Sequence, residues 1–252
     1  MKKLSGLFWA VFLLQVSAFS QSGLYFGGEA GMKFDMYHYV NSKGNDLTML
    51  PVDGVWGGHV GYNYNGFTVE TGFYGNYTST PFFHYDYATN EASRSSSSSG
   101  GSGMNSWVIP LRFGKEFLFF QNRLFLKPEM GIIGIFARDY TTDQPNSGWG
   151  ENVSPFPGFP YFTPSGPDST RAYSYRAAKS NFGIETAFSF GYRLKEKADI
   201  YFKGTYQSSF APLYYDVITH YSENETVYAT STQTGNAFLF QIGLRYFIAK
   251  RD

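Results

Sequence analysis

Eight stretches of this sequence alternate apolar and polar residues with a period of two, and the connectors between them alternate strictly between short and long. Period-two patterning is the mark of strands with two unlike faces. The runs are 24–35, 54–64, 67–77, 106–116, 124–136, 180–193, 199–210 and 237–248. Runs two and three are joined at Asn65-Gly66, a pair suited to a tight hairpin with positive φ. Runs four and five are joined around 117–123, and runs six and seven by 194–198. The other connectors are long: 36–53, 78–105, 137–179 and 211–236. A soluble sandwich has no reason to gather every long loop at one end. A transmembrane barrel does, with short periplasmic turns, long extracellular loops and an even number of strands of about ten residues.

The two faces of these runs differ in kind. The last run, "AFLFQIGLRYFI", places Phe238, Phe240, Ile242, Leu244, Tyr246 and Ile248 on one side, and Leu239, Gln241, Gly243, Arg245 and Phe247 on the other. Across the chain the apolar side is aromatic and aliphatic. The charged side also carries glycines, among them Gly27, Gly31, Gly57, Gly61, Gly72, Gly131, Gly183 and Gly191. Small residues on the polar face fit a crowded, polar barrel interior better than the apolar core of a sandwich. Aromatic residues make up 20% of the chain, which suits strands and membrane interfaces. Pro110 and Pro128 each remove a ladder donor, so a bulge or local irregularity is expected in the hairpin of runs four and five.

The first twenty residues read as an export signal. Lys2 and Lys3 precede a twelve-residue apolar stretch, Leu7 to Ala18, and Ala18-Phe19-Ser20 offers small residues for cleavage before Gln21. The apolar stretch is too short to span a bilayer as a helix. The expected organisation is a signal peptide over 1–20 and a barrel domain over 21–252. There is no cysteine, which excludes disulfides, a Cys/His zinc site and anchoring through a lipidated N-terminal cysteine. A formal charge of zero offers nothing to nucleic acid.

In pattern and over nearly the whole mature chain, the sequence resembles the small eight-stranded outer-membrane barrels, such as OmpX and the membrane domain of OmpA. The resemblance implies an all-β, antiparallel, up-and-down transmembrane barrel in the bacterial outer membrane, without a cofactor. It also implies that Gln241, Gly243, Tyr246 and Ile248 form a C-terminal signal for the barrel-assembly machinery, although "AKRD" follows them where such signals often end the chain. Some barrels of this size are lipid-modifying enzymes with Ser and His at the outer rim. Here His84 and the serines of 93–103 are the residues available for that, but the serine run is low in complexity and reads as linker. A non-enzymatic protein is expected.

Three sets of residues stand out as candidate sites. Reading heights along the strands, Glu29, Glu70, Glu116 and Glu129 share a luminal zone with Arg112, Lys127, Lys203 and Arg245. These form a conduit or proton-active site on one reading and a salt-bridged plug on the other. The plug is favoured because buried charges must be paired and an eight-stranded lumen is filled by side chains. Among the histidines, only His59 falls on a strand, facing inward, with His38, His84 and His220 in loops. In the loops, Phe156, Phe159, Tyr161 and Phe162 interleave with prolines, and Tyr214 and Tyr215 add further aromatics. These are either contact anchors for a partner or a cap over the barrel mouth. The chain thus reads as an accessory or structural subunit of a larger outer-membrane complex, or as a surface-loop binding protein. The expected partners are membrane lipid, the assembly machinery and another outer-membrane or surface protein. A passive pore or a lipid-modifying enzyme is the alternative.

Overall fold

The computed structural model describes residues 22–78, 82–95, 104–137, 169–195, 197–222 and 224–248. The expected signal peptide, the prolines and aromatics of 155–167, and the terminal "AKRD" lie outside the described residues. Among the described residues there are fourteen strands: β1 (Gly23–Asn41), β2 (Asp46–Met49), β3 (Val52–Tyr64), β4 (Phe67–Thr78), β5 (Phe82–Asp86), β6 (Glu91–Ser95), β7 (Met104–Lys115), β8 (Phe117–Phe119), β9 (Leu124–Ala137), β10 (Ser169–Arg176), β11 (Ser180–Lys195), β12 (Ala198–Ser209), β13 (Tyr214–Tyr221) and β14 (Thr226–Phe247).

Eight of them close on themselves. The ladder runs β1-β3-β4-β7-β9-β11-β12-β14 and returns to β1, antiparallel at every step. Closure removes the open edges of the sheet. These eight strands coincide with the eight period-two runs. At the short-turn end, Asn65 and Gly66 take positive φ of 49° and 83°, as the hairpin requires. The turn before β9 uses Phe120, Gln121 and Asn122, with φ of 47°, 59° and 64°. Both ends of the barrel chain meet there, with Tyr25 opposite Phe247.

The prolines interrupt the ladder without shifting it. The carbonyl of Pro110 accepts the Thr71 hydroxyl at 2.8 Å, so its missing N–H also faces β4. The β4–β7 pairing skips from Thr71↔Leu111 to Tyr74↔Val108, in constant register. Pro128 likewise lies in the gap between Gly114↔Glu129 and Phe117↔Leu126, which is what separates β8 from β7. No register shift accompanies either proline.

The long connectors differ from the expected loops. β1 and β14 run on together past the barrel, from Tyr37↔Gln233 to Asn41↔Ala229. Between Ala237 and Gln233 the β14 strand holds two more residues than β1 does, accommodated by Gly235 at φ 76°. β2 adds to the outer edge of β1, β13 to that of β14, and β10 to β13, giving a five-stranded sheet above the mouth. A separate hairpin, β5–β6, packs against it. His38, His84 and His220 therefore sit on β1, β5 and β13 rather than in loops.

Candidate functional site

The barrel wall sorts side chains by the parity of each strand. Outward positions are large and apolar. Met130, Phe182 and Ile242 are 66%, 64% and 63% exposed, a loss no water-soluble surface would sustain around its whole circumference. Tyr62, Tyr64, Tyr192 and Tyr246 project outward near the short-turn end, where an aromatic girdle is expected of a membrane barrel. Lys115 reaches over the Phe67 ring at 3.8 Å to donate to the Asn65 carbonyl, keeping its charge at the rim. A closed antiparallel ladder, whose backbone groups pair strand to strand inside an apolar belt, is one of only two structures that cross a bilayer. It is a small eight-stranded outer-membrane β-barrel.

The barrel has the architecture that the resemblance to OmpX and the OmpA membrane domain implied. No family model and no curated protein matches the chain. Among solved structures it is similar to Neisserial surface protein A, with TM-score 0.45 and 10% identity, covering 91% of this chain and 99% of that one. It is also similar to OprG from Pseudomonas aeruginosa, with TM-score 0.40, 11% identity and coverage of 91% and 99%. A third is Ail of Yersinia pestis, with TM-score 0.34, 9% identity and coverage of 90% and 99%. The assignment rests on the closed ladder and the apolar wall, not on these likenesses.

Inside, the residues expected in one charged zone separate into two clusters. The central one joins six strands. Arg112 of β7 donates to Glu185 at 2.6 Å, to Glu70 at 3.0 Å and to the Tyr74 hydroxyl oxygen at 2.9 Å. Lys127 of β9 binds Glu70 at 3.2 Å and Glu129 at 2.9 Å. Lys203 of β12 stands 3.0 Å from Glu29, 3.4 Å from Glu70 and 3.6 Å from Glu129. Neutral groups add donors: the hydroxyls of Tyr25 to Glu70 at 3.1 Å, Tyr201 to Glu29 at 2.7 Å and Ser189 to Glu129 at 3.2 Å, and the Gln207 amide to Glu185 at 3.4 Å. All seven charged groups are buried.

The second cluster lies towards the short-turn end and corrects the single-zone expectation. Arg245 binds Asp199 at 2.7 Å and also Glu116, while Arg193 reaches Glu116 at 3.0 Å and Asp199 at 3.4 Å. Glu116 and Arg245 belong here because Glu116 follows the end of β7 and Arg245 lies near the end of β14. Arg245 is stacked over Phe125 at 4.4 Å, and Leu118, Phe125 and Tyr201 pack together as an apolar floor. Sequence reasoning missed Glu185, Asp199 and Arg193 as members of these clusters. The parity of Phe182, Ile184 and Ile200 as outward residues carries the signal for Glu185 and Asp199.

Glu29, His59 and Glu70 offer ligand atoms that lie within 4.8 Å of one another. The Lys203 ammonium already stands between the two carboxylates, so the arrangement is a salt bridge with a histidine beside it rather than a metal centre.

Above the charges, apolar packing closes the mouth. Leu213 and Tyr214 insert among Tyr74, Val108, Ile133, Ile135 and Ala137. Tyr214 is 1% exposed, which removes it from the surface contact candidates: its position on β13 faces the barrel axis. Its neighbour Tyr215 is half-buried on the opposite face of the strand. Phe156, Phe159, Tyr161 and Phe162 lie outside the described residues. Higher still, Tyr39, Ile218 and Ala229 form a small core with Leu47 and Ala92 packed on it. The Tyr39 hydroxyl and His220 Nε2 are 3.0 Å apart, and the Tyr85 ring of β5 lies 5.7 Å from the His220 ring. Burial raises the Tyr39 pKa above the usual phenol value. The hairpin is held by Asn45, whose amide nitrogen donates to the Asn90 carbonyl and whose oxygen accepts the Ala92 N–H. On the surface, Lys43 forms a salt bridge to Glu225 that joins the two turns of the sheet; the hydrogen bond raises the Lys43 pKa.

The residues of the expected assembly signal divide between the faces. Gln241 and Gly243 point inward, with the Tyr201 ring lying where a Cβ on Gly243 would stand, while Tyr246 and Ile248 are exposed outward.

Proposed function

We propose that this barrel is a non-catalytic outer-membrane protein that works through its extracellular sheet, as an accessory or recognition component of a larger envelope assembly. The observation that carries this reading is the division of labour along the strands. The lumen is filled at four levels by the apolar floor, the two charge clusters and the Tyr214 cap. Above it, β1 and β14 continue into a five-stranded sheet with a core of its own. A side-chain-filled interior supports a scaffold rather than a conduit. An ordered sheet presents a contact face without the entropy cost of fixing loops on binding. Its outward face carries His38, Val40, Thr230, Thr232, Tyr215 and Tyr228, and Tyr215 is the remaining described anchor of the aromatic contact set.

The test is extraction in mild detergent followed by native electrophoresis. Co-migration with a larger assembly, lost when Tyr215 and Tyr228 are both changed to Ser, supports the reading. A lone monomer before and after the change refutes it.

A further inference from the structure

On the lipid-facing wall, β11, β12 and β14 lie side by side with Phe188 opposite Gly204 and Gly204 opposite Phe240. The next outward row is Thr186, Tyr206 and Phe238. Gly204 is thus surrounded by tall side chains and has none itself. A hollow of about 400 Å³ opens there, lined by these residues.

Neither the backbone nor the lumen requires this glycine. Its φ is not positive, and it points away from the barrel axis, between inward Lys203 and Thr205. A Cβ built on it meets only ring atoms of Phe240, at 3.9 Å. Of the other outward glycines, a Cβ on Gly75 would meet the Trp107 ring at 3.1 Å and one on Gly134 the Phe136 ring at 3.3 Å, while Gly28 and Gly58 pair with each other across β1 and β3 and a Cβ on either meets only a backbone oxygen, at 3.5 and 3.4 Å. The hollow is open towards the membrane, and rings along its sides pack on their neighbours. Phe202 and Phe240 stack at 6.2 Å and 17°, and Tyr206 and Phe238 pack at 5.1 Å.

A hollow at this position has to be filled. Lys203, next to Gly204, belongs to the central charge cluster, so the hollow lies well inside the apolar belt. Beside the Thr186 and Tyr206 hydroxyls the lining is apolar, too few polar partners to hold water, and an empty hollow forfeits dispersion contacts along it. No charged side chain lines it, so nothing there holds a headgroup. The wall around it is continuous with the lipid-exposed surface. We infer that the Gly204 hollow is a lipid-binding site that seats the acyl chain of a membrane phospholipid between the Phe188 and Phe240 rings. This inference goes beyond the proposed role of the extracellular sheet and does not depend on it.

The full chain is reconstituted into phosphatidylethanolamine/phosphatidylglycerol vesicles containing a phospholipid with a diazirine on its acyl chain. After irradiation, adducts are mapped by mass spectrometry. Labelling is expected to be several-fold higher on β11, β12 and β14 around 186–206 and 238–240 than on the opposite wall around Phe73 and Leu111. Gly204→Leu fills the hollow and is expected to bring that labelling down to the level of the opposite wall. Phe240→Ala widens it and keeps labelling high, which gives a second reading should Gly204→Leu fail to fold. Uniform labelling around the wild-type wall overturns the inference, as does labelling unchanged by Gly204→Leu. A p-benzoylphenylalanine at 238 that cross-links in cells to a protein, instead of to lipid, also overturns it.

Discussion

Replacing Arg112 by Met tests whether the central charges act as a plug whose members hold one another in place. Glu185 loses its 2.6 Å partner and keeps only Gln207 at 3.4 Å. Glu70 loses one of three cations and keeps Lys127 at 3.2 Å and Lys203 at 3.4 Å. The Tyr74 hydroxyl loses its contact with Arg112. Glu185 therefore becomes the stranded group, 2% exposed and deep in the wall. Removing one partner of a buried pair costs about 3–5 kcal/mol, most of it the penalty of the orphaned charge. If so, neutralising the orphan should recover most of the loss. Arg112→Met/Glu185→Gln is expected to regain more than half of the stability lost in Arg112→Met, because it restores the cluster's charge balance and leaves an amide that Gln207 can still approach. Lys127→Met serves as the contrast, since Glu70 and Glu129 both retain Lys203. Its loss should be smaller, about 1–3 kcal/mol. Urea unfolding in lipid vesicles, followed by tryptophan fluorescence under reversible conditions, measures all four proteins. The reasoning fails if Arg112→Met lies within about 1 kcal/mol of wild type, or if the double variant is no more stable than the single one.

The filled lumen predicts no stable conductance in single-channel recordings of the purified protein; a reproducible open state would show that the salt bridges do not seal it. Tyr214→Ala removes the largest ring of the cap and should cost about 3–5 kcal/mol while making 211–221 newly sensitive to added protease; protection equal to wild type would remove Tyr214 from the cap. Gly66→Ala forces a side chain onto a residue at φ 83° and should destabilise the barrel by roughly 1 kcal/mol, with folding still heat-modifiable on gels. Tyr246→Asp puts a charge among the outward residues of the expected C-terminal assembly signal and should lower the amount of assembled barrel in the outer membrane, measured by heat-modifiability; undiminished assembly would remove this residue from that signal.

Strand positions were legible because the bilayer enforces the strongest contrast a strand can carry, apolar outside against polar inside, at each of eight crossings. The sheet above the mouth lacked that contrast. In 230–234 both faces of β14 are hydroxyl and amide residues, Thr230 and Thr232 outside with Ser231 and Gln233 inside, so hydrophobic period two vanishes there although the strand continues. Charge signs and inward parity were legible too, but the partition into two clusters was not. Glu116 meets Arg193 and Arg245 across 77 and 129 residues of chain, and those meetings depend on the stagger with which the barrel closes. Glycine shows how parity gives one residue two meanings. On the inward face, Gly243 is small because the Tyr201 ring already fills the space. On the outward face, Gly204 is small where nothing from the chain fills the space, and the vacancy is left to the surrounding membrane. Both could be assigned a face from the sequence by counting from Ile200 or Ile242. Only the cross-strand register, which sets Phe188 and Phe240 on either side of Gly204, turns the second into a site.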